Sequence, residues 1–278
     1  TNPFDKDGLP KYKVGQIIFD QNGEYANKNT QDNGTAIYEK YSDITYRYSV
    51  KEKPGFHVLK VNFYKDVQTG FNLLRGFFKS NGESSDYIQS FMSVEMEEPE
   101  NKNSSEYYRW KRWVCAYLCC LKQAGFTVPQ GFKVYFKASQ DLISAVTSPV
   151  IDAKTNKIKA PATFSSFDPS NGITLDDAVK FWNWVIDNQE HEFFKNYYHT
   201  KGHDWMDEEL KNILVMFSRK RNLTGTVGIT GFKKLEQYKK YHTTMTDSSF
   251  EKDIVSLLRK GKIVIIDLSQ GDPTVQQT

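Results

Sequence analysis

Residues 16–26 read Gln16-Ile17-Ile18-Phe19-Asp20-Gln21-Asn22-Gly23-Glu24-Tyr25-Ala26, and this stretch decides the fold class. Its first four residues have the composition of a short buried strand, so Asp20 stands at the carboxyl end of that strand. In open α/β sheets this end is where ligands bind. Gly23 permits a sharp turn, which lets Asp20 and Glu24 point into one crevice above the sheet. The pattern therefore predicts a place for a metal ion or an activated water.

A second strand is predicted near the other end of the chain, from Ile263 to Asp267, in which only the last residue is polar. Ser248 and Glu251 form a capping box for the helix that precedes it. Strands of this apolar composition are typical of parallel sheets covered on both faces. We therefore expect the strands from the two ends of the chain to lie in the same parallel sheet.

Between those strands the pattern changes from sheet to helix. Two more strands are predicted at Thr45–Ser49 and Val58–Asn62, and from about Asp66 the apolar residues recur with a helical period. Ser104 and Thr174 are predicted to cap two long helices. The sequence thus predicts an α/β fold in which the chain leaves a sheet, makes a helical excursion and returns to the sheet.

The predicted domain organisation follows from that order. Residues 1–65 and 221–278 are assigned to an α/β core, and residues 66–220 to a large insertion that is mainly helical. With 278 residues, of which 38% are apolar, the chain can bury a substantial core. No apolar run approaches the ~18 residues of a membrane span, so no membrane association is expected. Three cysteines that lie close together on one predicted helix favour a reducing, cytoplasmic setting.

Three sets of residues have both a functional and a structural interpretation. Cys115 and Cys119 have the spacing of a helical metal pair, but the aromatic stripe on their helix favours buried thiols. His199 and His203 have the same spacing, but Gly202 interrupts their helix and no third ligand is placed, so no metal site is predicted. The five tryptophans are suited to stacking on bases. Their positions favour a core of the helical part instead.

Charge is distributed unevenly along the chain, although the formal net charge is only +3. Residues 83–106 hold seven acids and one lysine, whereas residues 211–262 hold twelve Lys and Arg and four acids. A basic surface of this kind is what DNA phosphates require. The competing interpretation is that cations at the C-termini of helices complement the helix dipole without any ligand. The residues predicted to contact DNA are Arg219, Lys220, Arg221, Lys233 and Lys234.

Several of these segments resemble a known family. Residues 19–25, followed by Asn27 and residues 31–35, resemble the segment just after the phosphate-binding helix of HerA-type ATPases. These enzymes are hexameric DNA-pumping motors of the FtsK/HerA branch of RecA-like ATPases. Residues 261–272 resemble the strand that precedes the Walker B segment, and residues 228–242 are similar too. The resemblance covers roughly the first 50 and the last 60 residues, and the family carries a helical insertion between them.

The resemblance implies a partial RecA-like parallel sheet with a large helical insertion, in a hexameric DNA translocase. Its cofactors would be ATP and Mg²⁺, and its partners would be DNA, further copies of the same protein and a nuclease or other effector protein. Asp20 and Glu24 would lie near the magnesium ion and the attacking water. Which pathway the motor serves, whether DNA-end processing, conjugation or phage defence, is left open.

The chain contains no phosphate loop with the pattern Gly-x-x-x-x-Gly-Lys-Ser/Thr. Residues 225–234 are rich in glycine and end in two lysines, but their spacing is wrong and favours a hairpin turn. Leu268 stands where the catalytic acid of a Walker B segment would follow Asp267. We therefore expect an internal fragment, with the phosphate loop before Thr1 and Walker B after Thr278, that alone neither binds nor hydrolyses ATP. The alternative is a non-catalytic helical protein-interaction module on an α/β base.

Overall fold

The computed structural model describes residues 6–8, 13–28, 35–49, 53–151, 158–245 and 250–269. The strands in those residues are β1 (Gln16–Asp20), β2 (Thr45–Ser49), β3 (His57–Val58), β4 (Val150–Ile151), β5 (Ile158–Ala160) and β6 (Ile263–Asp267). The α-helices there are α1 (Ile37–Lys40), α2 (Val67–Ser80), α3 (Asp86–Ser93), α4 (Ser105–Gln123), α5 (Gln140–Thr147), α6 (Leu175–Asp187), α7 (Glu192–Lys201), α8 (Glu208–Ser218) and α9 (Phe250–Arg259). A 3-10 helix spans Gly231–Tyr241.

Four strands form one parallel sheet in the order β1, β6, β2, β3. The expectation that the strands from the two ends of the chain share one parallel sheet is confirmed, and so is the α/β fold class. β6 lies between two neighbours, and four of its five residues are buried. This position accounts for its apolar composition, because a central parallel strand has little contact with water.

The third predicted strand is shorter than expected. The sequence predicted Val58–Asn62, but β3 is only His57–Val58. The chain turns at Asn62, whose carbonyl accepts hydrogen bonds from the N–H groups of Lys65 and Asp66 at 3.0 and 2.9 Å. These bonds begin the turn that leads into α2 and leave only an isolated parallel bridge at Val61.

Helix α9 covers one face of this sheet. Its residue Ile254 is buried in a cluster with Val264 and Ile266 of β6, and other apolar residues of α9 pack against that cluster. Gly15 permits close approach, since a Cβ atom there would lie 2.3 Å from the carbonyl oxygen of Leu258. α9 begins at Phe250. The predicted capping residue Ser248 lies outside the described residues.

Contacts divide the chain into two compact units. The α/β unit comprises Thr1–Gly70 and Tyr241–Thr278, and the helical unit comprises Phe71–Lys240. The second junction lies at 240/241, whereas the sequence placed it at 220/221. All of the 3-10 helix except its last residue, Tyr241, belongs to the helical unit, where Tyr238 stacks on Phe77, with ring centroids 5.0 Å apart, and Lys234 pairs with Glu83 at 2.6 Å.

Within the helical unit, the predicted helix starts are confirmed. The side chains of Ser104 and Thr174 accept hydrogen bonds from the backbone N–H groups of Tyr107 and Asp177, both at 3.1 Å. Asp207 caps α8 in the same way. Each cap satisfies an N–H group that has no partner inside its helix.

The tryptophans and cysteines form part of the core of the helical unit. Trp182 is fully buried and Trp113 is half-buried, and the other three tryptophans are buried. All three cysteines are buried free thiols, so the structural interpretation of Cys115 and Cys119 is confirmed. Among the described residues no group of three or more His, Cys, Asp or Glu side chains is arranged to hold a metal ion.

The hairpin predicted for residues 225–234 is wrong. The N–H groups of Gly228 and Ile229 donate to the carbonyl of Arg219 at 3.0 and 3.2 Å, which folds this segment back onto the end of α8. The chain then enters the 3-10 helix at Gly231, and no strand flanks the turn in the described residues 218–245. Of the helices that the structure describes, none is both long enough and apolar enough to cross a membrane.

Candidate functional site

The register of the parallel sheet brings three polar residues into one row at its carboxyl edge. Asp20 of β1 lies opposite Asp267 of β6, and Asp267 lies opposite Ser49 of β2. Each of the three residues is at most 2% exposed. Burying a carboxylate is costly unless hydrogen bonds or cations balance its charge. The partners of Asp20 and Asp267 therefore determine whether these carboxylates are free to bind a ligand. We call this row and its contacts the edge site.

Asp20 holds the loop that follows β1. One carboxylate oxygen accepts hydrogen bonds from the N–H groups of Gly23 and Glu24, at 2.8 and 3.0 Å. The other oxygen accepts from Tyr25 and Ala26, at 2.9 and 2.7 Å. Four consecutive backbone donors thus converge on one side chain, and Gly23 adopts a φ of 81° to permit it. The carboxylate serves as the anchor of residues 21–27, and both of its oxygens are engaged.

Asp267 is held by side chains from two other segments and by Ser269, two residues after it. Its Oδ2 atom accepts a hydrogen bond from Lys53 at 2.5 Å and from Asn27 at 3.2 Å. Its Oδ1 atom accepts from the N–H and the hydroxyl of Ser269, at 3.0 and 2.5 Å. Burial opposes the charged form, but the hydrogen bonds from Lys53, Ser269 and Asn27 outweigh it and hold the pKa of the Asp267 carboxyl below its usual range.

A second cation closes the far side of the loop. The guanidinium of Arg47 donates to the carbonyl of Ala26 at 2.8 Å. It lies over two aromatic rings, 3.7 Å from the centroid of Tyr38 and 4.3 Å from that of Phe56. A cation over the face of an aromatic ring is attracted to it, so these contacts help to hold the guanidinium in place. Ala26 is therefore held through its N–H by Asp20 and through its carbonyl by Arg47.

Glu24 differs from the other acids of the edge site because its side chain is exposed. Its backbone N–H donates to Asp20, so the residue has a fixed backbone and a carboxylate open to solvent. This arrangement suits an acid that orients or activates a water molecule. It does not supply a magnesium ligand set, since the hydrogen bonds above already occupy the oxygens of Asp20 and Asp267. The catalytic roles of Asp20 and Glu24 stay predictions.

The five residues predicted to contact DNA are in different environments. Lys220 donates to Asp187 at 3.3 Å, and Lys234 pairs with Glu83, whose hydrogen bond raises the pKa of that lysine. Arg219 donates to the carbonyl of Thr230 at 3.1 Å. The other two, Arg221 and Lys233, are exposed. Three of the five predicted residues thus have structural partners within the helical unit, and DNA contact stays a prediction.

The two residues that donate to Asp267 from elsewhere in the chain, Lys53 and Asn27, were not predicted from the sequence. Lys53 lies between two strands in a stretch with no motif, so no local signal marks it. Asn27 belongs to the segment that carries the resemblance, but its partner is 240 positions away. Only the register of β1 and β6 brings Asn27 and Asp267 together.

No protein-family model, curated protein or solved structure matches this chain.

Proposed function

We propose that this chain forms part of the core of a HerA-like, ATP-driven DNA translocase that acts as a hexamer in the cytoplasm. One observation carries the proposal. Two of the segments that resemble the family lie near opposite ends of the chain, and β1, which runs into the first of them, pairs in parallel with β6 of the second, with their acids at one edge. Ligands of open α/β sheets bind at this edge. The resemblance and the sheet topology therefore point to the same place.

In this proposal each residue of the edge site has a defined task. Asp20 anchors the loop through four backbone hydrogen bonds. Glu24 presents a solvent-accessible carboxylate that orients the attacking water, as acids do in other phosphoryl-transfer sites. ATP and Mg²⁺ belong to the complete enzyme. The described residues contain no phosphate loop for ATP and no set of free carboxylates for Mg²⁺.

DNA contact is assigned to the exposed cations of the helical unit. Arg221 and Lys233 are exposed, whereas Lys220 and Lys234 already form ion pairs. Replacing an exposed cation removes one phosphate contact and lowers the dependence of binding on salt. The double variant Arg221→Gln and Lys233→Gln is expected to bind duplex DNA more weakly than the double variant Lys220→Gln and Lys234→Gln. Titration at two salt concentrations separates the two pairs.

The direct test is ATP hydrolysis by the complete gene product that contains this chain. Hydrolysis in the presence of Mg²⁺, stimulated by duplex DNA, is expected. Residues 1–278 alone, which contain no phosphate-loop motif, are expected not to bind Mg-ATP in calorimetry. If the complete product neither binds nor hydrolyses ATP, the translocase proposal fails, and the helical unit becomes the better candidate, as a protein-interaction module.

A further inference from the structure

We infer that Lys53 is a positioning residue, which sets the loop that bears Glu24 by neutralising Asp267. The role of Glu24 rests on the proposed function, but the contacts of Lys53 do not. The contacts form a chain: Lys53 Nζ binds Asp267 Oδ2, the same oxygen accepts from Asn27, and Asn27 also donates to the carbonyl of Gly23. Gly23 immediately precedes Glu24 in the loop.

The first step is the shared amide of Asn27. Its Nδ2 atom lies 3.0 Å from the oxygen of Gly23 and 3.2 Å from Asp267 Oδ2. Lys53 reaches that carboxylate oxygen at a shorter distance, 2.5 Å. A hydrogen bond between an ammonium group and a carboxylate is short and roughly twice as strong as one between neutral groups. With Lys53 in place, Asn27 is available to bridge the loop to the sheet.

The second step is that the carboxylate of Asp267 needs the lysine because it is buried. The side chain of Asp267 is 0% exposed and that of Lys53 is 17% exposed. Removing one partner of a buried ion pair leaves an uncompensated charge, which is strongly destabilising. The remaining donors to Asp267 are Asn27 and Ser269. Without the lysine, Asn27 is drawn toward the carboxylate and away from the loop.

The third step is the tight packing around Gly23. A Cβ atom on Gly23 would lie 2.9 Å from the amide of Asn27 and 2.9 Å from the hydroxyl of Ser269. Both of these side chains also bind Asp267. Asn27 also donates to the carbonyl of Gly23, so a shift of its amide changes a contact of the backbone next to Glu24.

Phe56 links this pair to the other anchor of the loop. Lys53 Nζ lies 5.1 Å from the centroid of the Phe56 ring, and the guanidinium of Arg47 lies 4.3 Å from it. Arg47 binds the carbonyl of Ala26, the residue before Asn27. The same ring thus contacts both cations, whose contacts reach the loop at the neighbouring residues Ala26 and Asn27.

The test is hydrogen exchange of the loop amides in the full chain. Lys53→Met keeps the length of the side chain and removes its charge. We expect the amides of Gly23 to Ala26 to exchange at least ~10-fold faster in this variant, since a lost charged hydrogen bond has an effect of this size. Lys53→Arg, which keeps the charge, is expected to restore most of the protection.

The matched control is Lys252→Met. Lys252 of α9 forms an ion pair with a different buried acid of the α/β unit, Asp66, at 3.0 Å. We expect this variant to leave exchange of the loop amides within about 2-fold of the original chain. Unchanged loop exchange in Lys53→Met would overturn the inference. Equal acceleration by Lys252→Met would also overturn it, because the effect would then be general loss of stability.

Turnover gives a second readout that separates this inference from the proposed function. In the complete gene product, Lys53→Met is expected to lower kcat by at least ~5-fold with KM for ATP little changed, because a misplaced acid affects the transition state more than binding. Faster loop exchange with unchanged kcat would refute the positioning role. Absence of any ATPase in the unmodified protein would refute the proposed function and leave the exchange result intact.

Discussion

Among the residues of the edge site, Asp20 has the most completely assigned contacts. It is 2% exposed and accepts four backbone hydrogen bonds from residues 23–26. The sequence predicted a carboxylate at the end of a strand and a turn at Gly23, and both are present. It predicted a catalytic task for the carboxylate but not the anchoring contacts, because backbone donors carry no sequence signal. The exposed acid of the pair, Glu24, is the better candidate for chemistry.

Asp20→Asn should destabilise the α/β unit by about 3 kcal/mol. Each carboxylate oxygen of Asp20 accepts hydrogen bonds from two backbone N–H groups. In the Asn variant, an NH2 group replaces one of these oxygens and cannot accept, so two backbone N–H groups would lose their partner. Hydrogen exchange of the buried amides of β6 under native conditions measures the loss. Glu24→Gln is the control on the same loop and should change stability by less than about 0.5 kcal/mol, since its side chain is exposed. Equal effects of the two variants would contradict the assigned roles.

Two buried acids should make the α/β unit sensitive to acid. Hydrogen bonds from Lys53 and Lys252 outweigh burial at Asp267 and Asp66, so the pKa of each carboxyl lies below its usual range. Each therefore contributes stability above the ordinary carboxyl pKa of about 3.9, and this contribution is lost as pH falls through the lower, folded pKa.

Measuring the unfolding free energy between pH 6 and pH 2 checks this prediction. Stability should be nearly constant down to about pH 5 and fall steeply below about pH 4. Asp267→Asn should make the fall shallower, because one of the two titrating groups is gone. A curve that rises on acidification would contradict the assignment of the two ion pairs.

At the scale of elements, the close contact of α9 with the start of β1 is the most specific packing feature of the α/β unit. A Cβ on Gly15 would meet backbone atoms of Leu258 at 2.3 to 2.7 Å, and backbone cannot move aside as a flexible side chain can. Gly15→Ala is therefore expected to displace α9 and cost about 1–3 kcal/mol.

The control for this prediction is Gly228→Ala. The nearest atom to a Cβ on Gly228 would be 3.9 Å away, and this glycine does not have a positive φ. The Gly228→Ala substitution should change the free energy of unfolding by less than about 1 kcal/mol. Hydrogen exchange along α9 and β6 reports the first variant. No difference between the two variants would show that α9 does not pack on β1 as described.

Elements were predictable where a local pattern fixes them. The caps at Ser104 and Thr174 and the apolar strand at the end of the chain are present because hydrogen bonds within a few residues, or burial on both faces, leave few alternatives. Residues 225–234 were mispredicted because glycine spacing alone cannot show that their N–H groups bind Arg219. The strand predicted at Val58–Asn62 was too long because the alternation of apolar residues continues into the turn.

At the scale of the whole molecule, the edge site depends on contacts between segments near the two ends of the chain. Asn27 and Asp267 are 240 positions apart, yet they share a hydrogen bond. The sequence predicted that the two end strands share a sheet. It could not predict which side chains meet at their ends, since this depends on register and strand order. Residues 71–240, which lie between these two strands in the sequence, form a separate compact unit.

Steady-state ATP hydrolysis by the Glu24→Gln variant of the complete gene product tests the central claim most directly. The substitution keeps the shape of an exposed side chain and removes its charge. Turnover should fall at least ~10-fold while thermal melting and nucleotide binding are unchanged. Glu251→Gln, at an exposed glutamate of α9, should leave turnover unchanged. Undiminished hydrolysis by Glu24→Gln, at unchanged stability, would contradict the assignment of the edge site as the catalytic site.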